Sequence, residues 1–303
     1  MQTRPLLAAF GLAALVAGSA AADPLSLETA RGPVEVAGHP GTIVAYDTAA
    51  IDTLDALGVP LAGAPAPLYV PYLEQAVSGT PTVGTLFEPD LEALAQIAPD
   101  LIIVGGRSAT QLESVARVAP AVDMTIPPDD LVGAVLARLD SYGRLTGREA
   151  QAETLEAELQ QKLETARAAV AGKGNALVIL TNGPKVSAYG AGSRFGWIHT
   201  ALGLPQAREG LDAQTHGEAV SFEFIAEVDP DWLLVVDRGA AVQAEGESAA
   251  QTLDNALIRE TKAWKNGHVV YLDPARMYIS GGGVQAMTGM LDQIAEVFSA
   301  AGG

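Results

Sequence analysis

Two segments of the chain, 92–107 (EALAQIAPDLIIVGGR) and 223–238 (EFIAEVDPDWLLVVDR), follow one pattern. Aligned without a gap they share Glu, Ala, Pro, Asp, Val and a closing Arg, and most other positions are apolar in both. Each reads as a short helix stopped by a proline, an aspartate, a wholly apolar strand, and an arginine where that strand ends. A pattern that recurs in the second half of a 303-residue chain predicts two similarly built lobes. It also sets Arg107 and Arg238 at equivalent places. Ligands of open α/β sheets bind beyond the carboxyl ends of the strands. The two guanidiniums are therefore expected to face each other across a cleft and hold an anion.

The rest of the chain fits the same frame. Strands are predicted over 34–36 and 42–46, the second followed by Asp47 as the N-cap of a helix with Ile51, Leu54 and Leu57 on one face. A proline-rich loop over 60–71 leads to a helix over 89–98 and strands over 101–104 and 121–124. Strands alternating with helices indicate parallel βα units. A further helix carries Leu131, Val135, Leu139 and Tyr142 on one face. Residues 148–171 contain neither Pro nor Gly, and Ala152, Leu155, Leu159, Leu163, Ala166 and Val170 form an apolar stripe. Such a helix is ~36 Å long and lies between the two copies, so it is expected to join the lobes. The second lobe reads as a strand over 176–180, a loop over 187–196 and a short helix over 197–202. The repeat helix (222–228) and strand (232–236), a strand over 268–272 and a closing helix over 287–298 complete it. The expected fold is α/β: two similar lobes with parallel-rich central sheets, joined by one long helix, with a ligand cleft between them. The expected boundaries are a first lobe over 23–146, the joining helix over 147–172 and a second lobe over 173–303.

Residues 1–22 are set apart. Arg4 precedes a 12-residue apolar run over 6–17 and a small-residue stretch over 18–22. That run is too short to span a bilayer comfortably, and the order is that of a cleavable secretory signal peptide. The chain has no cysteine, which excludes disulfides, thiolate metal sites and a lipid anchor on an N-terminal cysteine. The expected product is a soluble, exported protein of roughly 280 residues, enough for two domains. The net charge is −18, and one unit more negative once Arg4 is removed. That argues against nucleic acid or an anionic membrane as partner. An anionic ligand would have to be held by a local arginine cluster working against the global field.

Three further groups qualify as site residues. A lone arginine is most often a surface ion-pair partner; matched placement is what singles out Arg107 and Arg238, whose rigid forks of donors suit an anion. Arg194 lies in a glycine-rich loop, YGAGSRFG over 189–196, that permits close approach to a ligand. The loop lacks the Gly-Lys-Ser/Thr ending of a phosphate loop, as does SGGG over 280–283. His216 lies in a polar loop just before the second copy, where a histidine is by default solvated. The four histidines form no closely spaced pair, so a zinc site has little support. Tyr278, just ahead of the glycine run, could offer a phenolate, a hard oxygen donor of the kind ferric iron favours. There is no Gly-x-Ser-x-Gly, since Gly192-Ser193-Arg194 lacks the second glycine, and no catalytic constellation is found.

Taken in order, TLFEPD over 85–90 running into PDLII over 99–103, GSRFG over 192–196, His216-Gly217 leading into Ser221-Phe222-Glu223, Asp237-Arg238 and YISGGG over 278–283 resemble the two-lobed (class III) periplasmic substrate-binding proteins of ABC importers. The likeness is to the branch that binds ferric catecholate siderophores, and it runs from about residue 41 to 298. The resemblance implies a carrier, not an enzyme, with no cofactor of its own. It implies that Arg107, Arg194 and Arg238 form a positive floor under the iron chelate, and that His216 and Tyr278 complete the coordination of the iron when the chelator leaves two sites open. It further implies small lobe closure, a monomer in the periplasm and delivery to an inner-membrane permease, with Glu113 and Glu245 as the nearest docking residues. Many relatives are lipoproteins; the absence of cysteine makes this one freely diffusing. Carriers of the same fold for haem, cobalamin or a hydroxamate chelate are the alternative, and aromatic residues at 5% give them less support. A periplasmic enzyme ranks below both.

Overall fold

The computed structural model describes residues 24–127, 130–211 and 217–301. The leader expected over 1–22 and His216 lie outside the described residues. An antiparallel hairpin of β1 (Pro24–Thr29) and β2 (Gly32–Ala37) opens the chain. β3 (Ile43–Ala45), α1 (Thr48–Ala56), α2 (Leu91–Ile97), β4 (Leu101–Val104), α3 (Leu112–Val115) and β5 (Ala121–Asp123) follow. β3, β4 and β5 form a parallel sheet in that order. Next come α4 (Leu131–Thr146) and the long α5 (Glu149–Val170).

The second sheet is built from β6 (Ala176–Asn182), β7 (Lys185–Tyr189), β8 (Glu218–Val220), β9 (Trp232–Asp237) and β10 (Val269–Tyr271). The short α6 (Trp197–Thr200) and α7 (Phe222–Val228) lie between its strands, as do α8 (Arg238–Ala241), α9 (Ala249–Leu253), α10 (Ala256–Arg259) and α11 (Lys262–Lys265). The closing helix is α12 (Val284–Ala300). The order β10-β9-β6-β7-β8 is parallel through the first three strands and antiparallel through the last two. Two similar lobes joined by one long helix are thus observed, and β3-β4-β5 corresponds to β6-β9-β10.

The repeat is more extensive in space than in sequence. Asp90 caps α2 by accepting from the amides of Glu92 and Ala93, and Ser221 caps α7 by accepting from that of Phe224. Both helices end on a residue in the left-handed conformation, Ala98 (φ 49°) and Asp229 (φ 44°), directly before the shared proline. The shared aspartate explains itself. Asp100 accepts from the amide of Thr42 at 2.8 Å and Asp231 from that of Asn175 at 2.9 Å. Each therefore ties the repeat strand to the residue ahead of its neighbouring parallel strand, which sets the register of both sheets.

The structure departs from expectation in three places. Residues 187–189 belong to β7 and not to a loop, because Gly183 (φ 55°) reverses the chain and Asn182 pairs with Lys185; an Asn-Gly pair is a strong hairpin signal. Glu218, expected in a polar loop, pairs with Ala188 as part of β8. The closing helix begins at Val284 and not at 287, because its N-terminus is capped from a distant part of the chain.

That cap is Asp52, fully buried on α1. Its Oδ1 accepts from the amide of Gln285 at 2.7 Å and its Oδ2 from that of Ala286 at 3.0 Å, while the hydroxyl of Tyr72 donates to Oδ2 at 2.6 Å. Thr53 Oγ1 takes the amide of Val284 at 3.3 Å. A Cβ on Gly283 would lie 2.3 Å from the carboxyl carbon of Asp52, so only glycine fits there. α12 then packs along α5, with Leu159, Leu163, Ala166 and Val170 on one side and Met287, Leu291, Ile294 and Phe298 on the other, all buried. Burying each Leu stabilises by ~2 kcal/mol. Trp232 anchors the far end, stacked between His268 and Phe298 at 3.9 Å from each. No helix among the described residues is long and apolar enough to cross a membrane.

Removing the Asp52 carboxylate orphans two helix amides and a buried phenol. Asp52→Ala is expected to lower unfolding free energy by about 3 kcal/mol, read by urea denaturation. Burial pushes the Asp52 carboxyl up to about 7, against the pull of the Tyr72, Gln285 and Ala286 hydrogen bonds and the charge of Arg276. The folded state therefore holds its proton more tightly than an unfolded chain does. Stability from this group is present below pH 3.8 and is lost as pH rises toward about 7. The stability difference between wild type and Asp52→Asn should shrink over that window and stay level above it; a constant difference would contradict the assignment.

Candidate functional site

A cleft of about 490 Å³ opens beyond the carboxyl ends of β3, β4 and β5, where Asp47, Arg107 and Thr125 stand on its wall. The second lobe contributes Arg194, Phe195 and Trp197, and the segment leading into α12 contributes Met277 to Ile279 and Gly281. Three of the residues singled out from the sequence converge on the fourth. Arg107 Nη2 donates to the carbonyl of Tyr278 at 2.7 Å and Nη1 to that of Ile279 at 3.3 Å. Arg194 Nη2 donates to the same Tyr278 carbonyl at 3.1 Å. Arg238 Nε donates to the Tyr278 hydroxyl at 3.1 Å, and its Nη1 to Asn182 Oδ1 at 3.2 Å. The three guanidinium carbons lie 4.9, 4.8 and 5.9 Å from the Tyr278 ring centroid, within cation–π range.

Local sequence explains each placement. Arg107 follows Gly105-Gly106, where Gly106 takes φ 52° and donates its amide to Thr125 Oγ1 at 2.9 Å. Arg194 rides on a tight turn in which Ser193 Oγ bonds the carbonyl of Gly190 at 2.6 Å. A Cβ on Gly196 would sit 2.0 Å from the carbonyl oxygen of Ala191, so the closing glycine of that loop is obligatory. Arg238 opens α8 at the end of β9. Tyr278 lies in a π-helical turn, Ala275–Ile279. The last carbonyls of a helical turn lack partners within it and carry partial negative charge, which is why the guanidiniums settle on Tyr278 and Ile279. The cleft-lining pair is thus Arg107 and Arg194. Arg238, expected opposite Arg107, reaches the site through the Tyr278 hydroxyl.

Charge crowding leaves its mark on both kinds of group. Burial, and then the charge of Arg107, lower the affinity of Arg194 for its proton. For Tyr278, burial is the largest single influence and opposes ionisation. The hydrogen bond and charge of Arg238, with the charge of Arg107, together outweigh it and hold the phenol below the ordinary tyrosine value. The site is built to stabilise negative charge on oxygen.

Two of the other histidines, His199 and His268, do structural work. His199 is buried with Nδ1 at 2.8 Å from the carbonyl of Leu204, and His268 stacks on Trp232. Among the described residues no group of three or more His, Asp or Glu side chains could hold a metal ion. Glu113 on α3 and Glu245 just past α8 are both exposed. Sequence reasoning read Asp47 only as a helix cap. It stands at the end of β3 as Arg107 stands at the end of β4, so the rule that pointed to the arginine also pointed to it. The apolar wall of Ile126, Trp197, Met277 and Met290 had no such signal, because these residues come together only in the fold.

A family model described as periplasmic binding protein matches residues 43–275. The chain belongs to this family. It is therefore a binding protein and not an enzyme. It is 33% identical over 268 residues to the petrobactin-binding protein YclQ of Bacillus subtilis, covering 87% of this chain and 84% of that one. It is 29% identical to the ferric-anguibactin-binding protein FatB of Vibrio anguillarum, covering 89% and 86%. Among solved structures, the periplasmic catecholate-siderophore binding protein VctP of Vibrio cholerae superposes with a TM-score of 0.83 at 26% identity, covering 92% of this chain and 100% of that one.

An ultraviolet titration should show one phenol ionising below the ordinary value of 10.0. Tyr278→Phe is expected to abolish that step, and Arg238→Gln to move it upward by removing both a hydrogen bond and a charge. A wild-type titration that matches Tyr278→Phe would contradict this electrostatic picture.

Proposed function

We propose that the protein captures a ferric siderophore of catecholate type in this cleft and delivers it to an ABC import permease. The observation that supports this reading is the convergence of Arg107, Arg194 and Arg238 on one phenol beside an open cleft. A ferric bis-catecholate carries negative charge spread over its oxygens, and charge-assisted bonds to such an anion are stronger than bonds to a neutral carbonyl. The chelate would draw Arg107 and Arg194 from the Tyr278 and Ile279 carbonyls. Iron with two open positions would take the Tyr278 oxygen and a nitrogen of His216. The lowered phenol suits ligation, since a hard cation prefers the phenolate. The apolar wall would pack against the catechol rings. The name of VctP, a catecholate-siderophore binding protein, points to the same ligand class, and that of FatB to a ferric complex.

The other elements of the reading follow. Residues 1–22 direct export and are removed, leaving a freely diffusing periplasmic monomer with lobes over 23–146 and 173–303 and α5 within the 147–172 connection. Glu113 and Glu245, one exposed carboxylate beyond each repeat strand, would meet basic residues of the permease.

Trp197 lines the cleft, so intrinsic fluorescence reports on occupancy. Titration with ferric bis-catecholate is expected to quench it, and Arg107→Ala or Arg194→Ala to weaken binding ~10-fold or more each. Tight binding of haem or cobalamin with no response to ferric catecholate would overturn the proposal. The iron–ligand absorption band should shift in Tyr278→Phe and His216→Ala; an unchanged band would remove both from the coordination sphere.

A further inference from the structure

The cleft that gathers three arginines also contains a carboxylate. Asp47 lines the wall one strand away from Arg107 and remains partly accessible. Its hydrogen bonding is incomplete. Oδ1 accepts from the amide of Ala49 at 3.4 Å, a long contact, and among the described residues the carboxylate is otherwise met only by the amide of Ala50 at the start of α1. No ion pair within 4.0 Å among the described residues includes it. The two arginines whose charges reach it are engaged elsewhere: Arg107 with the carbonyls of Tyr278 and Ile279, and Arg138 with those of Glu28 and Thr125. A Cβ on Gly105 would lie 2.8 Å from Asp47 Oδ2, so glycine there leaves room for the carboxylate.

An ionised carboxylate only accepts hydrogen bonds, and its two oxygens can take about four. Leaving it underused in a low-dielectric cleft is unfavourable. Burial indeed pushes it up to about 6, although the amides of Ala49 and Ala50 and the charges of Arg138 and Arg107 pull it down. For a purely anionic ligand, a negative charge beside the arginines would repel. For a ligand with one cationic group it would attract. We propose that Asp47 receives a protonated amine on the arm of the ligand, so that the cleft selects an amphoteric chelate, with its anionic head over the arginines and its ammonium at Asp47. This rests on the reading of the cleft as a site for a ferric catecholate, and it narrows that class.

The test uses two synthetic ferric bis-catecholates of equal linker length, one with a secondary amine in the linker and one with an ether oxygen in its place. Wild type is expected to bind the amine-linked chelate about tenfold tighter or better, in line with a charge-assisted hydrogen bond. Asp47→Asn keeps an N-cap residue for α1 but removes the charge. It should abolish the preference while binding the ether-linked chelate at least as well as wild type does. Asp47→Ser, also a good cap, should behave alike. Equal wild-type affinity for the two chelates, or a preference that survives both substitutions, would overturn the inference and leave the catecholate reading standing. Failure of wild type to bind either chelate would overturn both.

Discussion

The contact on which the site depends is the capture of the α12 N-terminus by Asp52. A carboxylate on the first helix of the chain accepts the amides of Gln285 and Ala286, more than two hundred residues away. It thereby fixes where the last helix starts. The turn carrying Tyr278 and the glycines that follow are the only link between β10 and that start, so their path is set from both ends. Tyr72 completes the clamp by bridging Asp52 and Ser280 Oγ, at 2.6 and 2.7 Å. That geometry also explains how the pair tolerates burial. The phenol can turn its proton to Ser280 while accepting one from a protonated Asp52.

With that segment held, the site divides into a symmetric and an asymmetric part. The repeat places one arginine at the end of β4 and one at the end of β9, and the two sheets share the order of three parallel strands and a side-chain cap on the repeat helix. Arg194 and Tyr278 have no counterpart in the other half. Arg194 comes from the loop after β7, a strand the first lobe lacks. Tyr278 comes from a π-turn, an arrangement often found at functional sites. The scaffold supplies matched charges, and the irregular additions decide what those charges converge on.

Much of this frame was legible in the chain. The helix over 222–228 matches the structure in full because Ser221 caps it in front and Pro230 follows it, and the strand over 101–104 does so because Pro99-Asp100 precede it and Gly105 follows. The long helix was legible from its stripe and the absence of Gly and Pro. The parts not written locally depend on partners far away in sequence. α12 starts early because Asp52 caps it. β8 is a strand because β7 offers it an edge. The roles of Gly196 and Gly283 are steric and visible only once the Ala191 carbonyl and the Asp52 carboxylate are in place.

The same division holds for the site. The sequence alone determined that two arginines would end matching strands, since a repeat carries its residue types with it, and that a third arginine, Tyr278 and His216 were worth testing. Only the tertiary structure decided that Arg107, Arg194 and Arg238 meet on a single tyrosine, that Arg238 acts through the hydroxyl and not on the cleft wall, and that Asp47 shares the cleft with them. Residue types and periodicity are local properties of a chain. Convergence depends on how two sheets, a turn and a capped helix are packed against one another, and that packing is fixed by contacts such as Asp52 with α12, whose partners no local pattern reveals.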